Sequence, residues 1–323
     1  MRYVVLGAGA IGGVVGGRLF QAGRDVTLIA RGAHLEVLQS RGLRMESPAG
    51  SDLLSCPAVG QPRQVDWRHD HVVLMAVKSQ QTLAALVDLA AVVPPQTPIV
   101  CLQNGIANEP AALRLFRNVY GVWVACPASH LEPGVVQAWS APVTGLLDIG
   151  RYPRGTDTTC VAVADDFRAA TFSSNPVEEI RRWKHRKLLN NLANAIEAIC
   201  GPHQGRGRLW DLVLAEGEAV LAAAGCETAT ADENRKRRGD LLQLGEIAGE
   251  THPGSSSWQS VHRGVGDIET DYLNGEIVLL GRIHGMPTPA NELLQQLARD
   301  LIDNRLAPGE LSSDAVLALL EPT

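Results

Sequence analysis

Six consecutive residues, Gly7-Ala8-Gly9-Ala10-Ile11-Gly12, constrain this chain more than any other segment. The apolar run Met1–Leu6 reads as a strand leading into them, and a helix of small residues, Ile11–Gln21, leads out. Strand, G-x-G-x-x-G and helix in that order build the turn on which a dinucleotide's pyrophosphate rests. The first glycine permits the tight turn, the second lets backbone N–H groups approach the phosphates, and the third lets helix and strand pack closely. The phosphates then face the positive end of the helix. A glycine-rich turn with no ligand is the competing reading, and the flanking strand and helix speak against it.

The end of the second expected strand, Asp25–Ile29, separates the two nicotinamide cofactors. A site selective for NAD places Asp or Glu about 20 residues past the glycines, to accept hydrogen bonds from the ribose 2′-hydroxyl. Here the chain offers Ala30 and Arg31. A guanidinium suits a 2′-phosphate, and no carboxylate stands there to repel it. The expectation is NADP (as NADPH), with Arg31 as a solvated loop cation the alternative.

With 323 residues the chain can bury a large core and divide into two domains. The net charge of −6 and the absence of a long basic tract argue against a nucleic-acid partner. The basic run Arg235-Lys236-Arg237-Arg238 is flanked by Asp232, Glu233 and Asp240 and reads as a solvated helix face. Cysteines 56, 101, 126, 160, 200 and 226 include no C-x-x-C pair and read as reduced core thiols. The histidines form no H-E-x-x-H, and His69 and His71, flanking Asp70, read as loop residues, so no metal is expected. The first strand starts at Met1, leaving no room for a signal peptide, and no apolar segment reaches membrane-spanning length. A cytoplasmic protein is expected, with a homodimer left open.

Up to Asn175-Pro176, strands and helices alternate. A helix around His34–Arg41 precedes extended pieces at Leu43–Met45 and Leu53–Cys56. His71–Ala76 is a nearly continuous apolar run, as a buried parallel strand requires. Helix Gln81–Ala91, strand Ile99–Leu102 and shorter strands at Val119–Val124, Val135–Trp139 and Leu146–Ile149 follow, then helix Thr158–Ala170 and strand Thr171–Ser174. The pattern predicts an α/β fold with a Rossmann-type, doubly wound parallel sheet over residues 1–176. Beyond it, helical periodicity runs through Glu178–Ile199, Leu209–Ala224, Ala231–Leu244, Val261–His284 and Asn291–Arg305, predicting an all-helical domain over 177–323. Loops Gly201–Arg208 and Gly245–Ser256 interrupt it. A ligand is expected in a cleft facing the carboxyl ends of the strands.

Several residues could carry chemistry there. Lys187, Asn191 and Asn194, spaced by four and three, fall within roughly 60° of one another on the expected helix. Periodicity does not separate a cleft-facing stripe from the edge of a broad solvated face. Glu269 comes early in its expected helix, preceded by Gly264 and Gly266, and on its own reads as a surface carboxylate rather than a catalytic one; Ser257 lies upstream beside Trp258. Asn104-Gly105 and Lys78 each follow a buried strand, where doubly wound folds put ligand contacts, although Asn-Gly is also a plain turn.

Taken together, the chain resembles the ketopantoate reductase (2-dehydropantoate 2-reductase) family over nearly its whole length. The resemblance rests on Gly7–Gly12, Arg31, Ala76-Val77-Lys78, Gln103-Asn104-Gly105, Lys187-Leu188-Leu189-Asn190-Asn191, Ser256-Ser257 and Glu269–Gly275. It implies an NADPH-dependent oxidoreductase that reduces a 2-oxo acid, ketopantoate foremost, to the alcohol. It further implies Lys187 as general acid with Glu269 as its acidic partner, Asn104, Asn191, Asn194 and Ser257 as substrate holders, and Arg31 and Lys78 as residues favouring NADPH. Two departures stand out. The family spaces the second helix asparagine eight residues after the lysine, whereas Asn194 follows after seven, and the segments 201–208 and 245–255 differ from the common pattern. A reductase of another keto acid, opine-type or tailoring, is the alternative enzyme, and a dinucleotide sensor without turnover is the alternative from another class.

Overall fold

The computed structural model describes residues 1–202, 204, 207–262, 268–307 and 309–320. In chain order the first part comprises β1 (Arg2–Leu6), α1 (Ala10–Gln21), β2 (Asp25–Ile29), α2 (Gly32–Arg41), β3 (Leu43–Ser47), β4 (Gly50–Leu54), β5 (Ala58–Val59) and β6 (His71–Met75). It continues with α3 (Thr82–Ala90), β7 (Ile99–Cys101), α4 (Asn108–Leu113), β8 (Val119–Ala125), β9 (Ala128–Ser129), β10 (Val135–Ala138), β11 (Gly145–Arg151), α5 (Thr158–Ala169) and β12 (Phe172–Ser173). The rest is helical: α6 (Ile180–Asn191), α7 (Ala193–Cys200), α8 (Arg208–Ala223), α9 (Ala231–Arg238), α10 (Ser256–His262), a 3₁₀ turn (Glu269–Tyr272), α11 (Asn274–His284), α12 (Pro289–Ile302) and α13 (Ser313–Ala318).

These elements form two compact units: residues 1–103, 107–184 and 231–252 make the first, and residues 104–106, 185–230 and 253–323 the second. Among the described residues the main sheet of the first unit has the order β12-β11-β8-β7-β6-β1-β2-β5. Its pairs are parallel except β11 with β8. Side chains alternate across the strands, and both faces are buried. Tyr3, Val5, Leu28, Leu74 and Val100 join one core, whereas Val4, Leu6, Val73, Met75 and Ile99 join the other. Such two-sided burial explains why β6 reads as an unbroken apolar run. A second sheet, β4-β3-β10-β9, takes the extended pieces near residues 43–56 and 135–139 out of the main one.

The helical half departs from its periodicity in three places. The expected helix Glu178–Ile199 breaks at Leu192, whose N–H reaches back to the Leu189 carbonyl (3.3 Å) and whose carbonyl accepts from Asn274 Nδ2 (3.3 Å). Asn274 continues to Asn291 Oδ1 (3.0 Å), and Asn291 donates to Glu216 (2.8 Å) and to the Val213 carbonyl (3.1 Å). A buried chain of amides thus fixes the break against α8, α11 and α12. The expected helix Val261–His284 is instead α10, the 3₁₀ turn and α11, with Leu273 (φ −117°, ψ −86°) breaking the path; residues 263–267, Gly264 and Gly266 included, lie outside the described residues.

The third departure is Ala231–Leu244. Its helix ends at Arg238, before Gly239 at φ +45°, and residues 231–252 belong to the first unit. Leu244 bridges to Ser140, and the Gly245 N–H donates to the Trp139 carbonyl (3.0 Å). The expectation of a solvated basic face fails at Arg237. Its guanidinium forks onto the buried Asp148 carboxylate at 2.6 and 2.7 Å and lies over the Trp123 ring. Arg235 does remain exposed, paired with Asp232.

Candidate active site

In the first unit, β1 delivers the glycine turn, and the N–H groups of Gly7 and Ala8 both donate to the Ile29 carbonyl at 3.1 Å. Gly7 has φ +102°, and a Cβ there would lie 2.8 Å from the Val77 nitrogen. At Gly12 a Cβ would lie 2.0 Å from the Gly7 carbonyl oxygen and 2.9 Å from Val5 and Ala76 side-chain carbons. Gly9 differs: a Cβ would meet nothing within 4 Å. Crowding therefore fixes the outer glycines, while the middle one borders open space wide enough for a ligand to approach the backbone. Ala8 is buried, and Ala10 and Ile11 open α1 half-buried. These residues fit a dinucleotide's phosphates.

Arg31, exposed, stands at the position just before α2 and just past β2, and its side chain makes no capping hydrogen bond. Lys78, half-buried, precedes the 3₁₀ turn Ser79–Gln81 just past β6. Next to it runs a buried polar network that the sequence did not announce. Gln103 Nε2 donates to the Val77 carbonyl (2.8 Å) and to Thr82 Oγ1 (2.7 Å); Thr82 donates to Asn108 Oδ1 (2.7 Å), and Asn108 to Ser79 Oγ (3.1 Å). Lys184 Nζ donates to the Gln103 carbonyl (2.9 Å) and pairs with Glu109. The ends of β6 and β7 are thereby tied together. Lys184 sits on the polar stretch Arg181–Lys187, where periodicity shows only charge, and Gly121, whose missing side chain leaves room for Glu109 and Lys184, is the one sequence hint.

The second unit collects Asn104, Lys187, Asn191, Asn194, Ser257 and Glu269. Lys187 is half-buried one turn before Asn191 on α6. Asn191 is 5% exposed, and its Nδ2 has no hydrogen-bond partner among the described residues. A buried amide donor left unpaired is costly, so this atom points to a ligand. Asn194 falls on α7, beyond the Leu192 break, so the single helical stripe expected for the three residues is interrupted. Ser257 is buried on α10, which packs against α7, and Glu269 opens the 3₁₀ turn half-buried. Asn104-Gly105 lies against that turn: a Cβ on Gly105 would be 2.9 Å from the Tyr272 carbonyl oxygen.

Among the described residues no cluster of His, Cys, Asp and Glu could hold a metal ion, and no helix is long and apolar enough to cross a membrane. Cys56, Cys101 and Cys160 are buried free thiols; burial pushes Cys56 up to about 12 and Cys160 up to about 11, far from a reactive thiolate. Burial, aided by Glu109, also drives the Cys101 thiol well above its ordinary value. His71, read as a loop residue, is buried at the start of β6.

Comparison with known proteins identifies relatives over nearly the whole chain. The profile described as ketopantoate reductase PanE/ApbA matches residues 3–153, and that of the ketopantoate reductase PanE/ApbA C terminal matches 179–301. The 2-dehydropantoate 2-reductase of Pyrococcus horikoshii is 31% identical over 301 residues, covering 93% of this chain and 97% of that one. The Archaeoglobus fulgidus protein of the same name is 31% identical over 309 residues, covering 92% and 97%. Among solved structures, a PanE/ApbA family ketopantoate reductase from Ralstonia eutropha superposes with a TM-score of 0.79 at 28% identity, covering 94% of this chain and 99% of that one. A D-mandelate dehydrogenase solved with NADH and anilino(oxo)acetate reaches 0.80 at 21% identity, over 94% and 99%, a likeness of fold. The chain belongs to the ketopantoate reductase PanE/ApbA family.

Proposed function

We propose that this protein reduces a 2-oxo acid, 2-dehydropantoate (ketopantoate) first among them, to the 2-hydroxy acid with NADPH. The observation that carries the reading is the unpaired, buried Asn191 amide one helical turn from Lys187, in a chain whose full-length relatives are named 2-dehydropantoate 2-reductase. Dinucleotide binding is assigned to the part before residue 177 and acid binding to the helical part after it, with Asn104 contributed to the second unit from the first part.

Gly7 to Gly12 cradle the pyrophosphate, and Arg31 and Lys78 supply positive charge for the 2′-phosphate and its neighbours. When bound, the reduced nicotinamide supplies the hydride. Negative charge that grows on the substrate's carbonyl oxygen is met by the Lys187 ammonium, which gives up a proton to that oxygen and regains one from water. Glu269 serves as the acidic partner of Lys187. Asn104, Asn191, Asn194 and Ser257 hold the acid so that its carbonyl carbon stays aligned. The buried free thiols of Cys56, Cys101 and Cys160 suit a reducing compartment, and we assign the enzyme to the cytoplasm.

The test is the initial rate of NADPH oxidation with ketopantoate, beside NADH and a panel of other 2-oxo acids with and without an added amine. Fastest turnover with NADPH and ketopantoate is expected. Oxidation that requires an amine would point to an opine-type reductase, and cofactor binding with no oxidation on any acid would overturn the proposal.

A further inference from the structure

His34, in the first turns of α2, bridges two backbone segments. The Gly134 N–H donates to its Nδ1 at 2.8 Å, so Nδ1 carries no proton. The ring hydrogen therefore sits on Nε2, which lies 2.8 Å from the Ala8 carbonyl oxygen. In a planar trans peptide the Ala8 carbonyl and the Gly9 N–H point in opposite directions, so holding one aims the other. The Ala8 N–H is fixed as well, on the Ile29 carbonyl at 3.1 Å. We propose that His34 is a positioning residue for the dinucleotide: as the neutral Nε2–H tautomer it clamps the Ala8 carbonyl and aims the Gly9 N–H at the cofactor's phosphates. The inference rests on the dinucleotide site proposed above.

The same geometry makes the clamp and a second ring proton mutually exclusive. A proton on Nδ1 would face the Gly134 N–H, donor against donor, and the ring would have to leave. Burial holds the His34 imidazole below its ordinary range, in keeping with a neutral ring. The titratable group facing it is His130, whose ring centroid is 4.3 Å away and whose Nδ1 lies 2.8 Å from the Val135 carbonyl. The glycine turn contributes no titratable side chain; Glu132 in the 128–135 segment and Arg31 and Glu36 beside His34 along the chain are exposed.

The experiment measures NADPH affinity by fluorescence titration in the wild type, His34→Phe and His34→Gln, from neutral to mildly acidic pH. His34→Phe keeps the bulk and loses the donor; its Kd should rise about threefold to tenfold at neutral pH, with kcat at saturating NADPH and KM for the acid unchanged. His34→Gln retains an amide donor for the Ala8 carbonyl and should bind close to wild type at neutral pH. The ratio of wild-type to His34→Gln Kd should climb on acidification, because only the imidazole takes up a proton; the ratio cancels the cofactor's own titration. Wild-type binding by His34→Phe, or a ratio that stays flat with pH, would overturn the proposal and leave the dinucleotide reading standing. A wild type that binds neither NADPH nor NADH would sink both.

Discussion

Lys184 and Glu109 form an ion pair inside the first unit, with side chains 5% and 0% exposed. Neither Glu109 oxygen takes a well-formed hydrogen bond among the described residues, so the ammonium is what compensates this buried charge. Removing one partner of such a pair costs about 3–5 kcal/mol. Lys184→Met should lower the urea midpoint accordingly, and the double variant Lys184→Met/Glu109→Leu should recover much of the loss. A double variant no more stable than the single one would show that the charge pair is not the source.

Lys187→Ala should reduce kcat by about 100-fold or more while leaving NADPH affinity intact, since general acid catalysis contributes on that scale. Steady-state kinetics with ketopantoate, paired with cofactor titration, checks it. Near-normal turnover would remove Lys187 from the acid's role.

Arg31→Ala should weaken NADPH and spare NADH. Hydrogen bonds to a charged group contribute about 1.5–3 kcal/mol, so the NADPH Kd should rise about tenfold or more. Equal losses for both cofactors would mean that Arg31 does not read the 2′-phosphate.

Gly12→Ala should damage both fold and cofactor binding, because its Cβ would sit 2.0 Å from the Gly7 carbonyl oxygen, an atom of the turn itself. Thermal denaturation and NADPH titration of that variant are the measurements. Gly9→Ala, with nothing within 4 Å of its Cβ, should fold normally and lose only the cofactor. Wild-type affinity in Gly9→Ala would argue that the phosphates do not approach there.

Burial raises the Glu276 carboxyl above its unfolded value, so the folded chain favours the protonated form. The stability this contributes is complete below the unfolded pKa and is lost as pH rises through the folded one. Glu276→Gln should therefore have the higher urea midpoint at neutral pH, with the advantage gone by about pH 4. Equal midpoints at neutral pH would show that the carboxylate is adequately solvated.

Much of this architecture can be read from periodicity, because β1, β6 and β7 are buried on both faces and α1 and α5 each show an apolar side. The breaks at Leu192 and Leu273 cannot, since local propensity there favours helix. The first depends on Asn274, a residue 82 positions away whose side chain reaches the Leu192 carbonyl. Lys184 and Arg237 look like solvated cations because their carboxylates, Glu109 and Asp148, lie 75 and 89 positions away in sequence. The candidate residues themselves were nameable: glycine spacing marked the turn, the end of β2 marked Arg31, and the stripe on α6 marked Lys187 and Asn191. What made Asn191 informative, an amide donor shut away without a partner, is a property of packing and has no linear signature.

Residues 231–252 fold with a unit whose other segments end at residue 184. No single cut in the gene therefore yields the first unit intact. A fragment stopping near residue 184 would strip Asp148 of Arg237 and leave its buried carboxylate with the Asn175 N–H (2.8 Å) but without the cation that balances its charge. Swapping this half between homologues demands two splice points flanking that returning loop, and chimaeras joined at one junction would inherit a mismatched clasp.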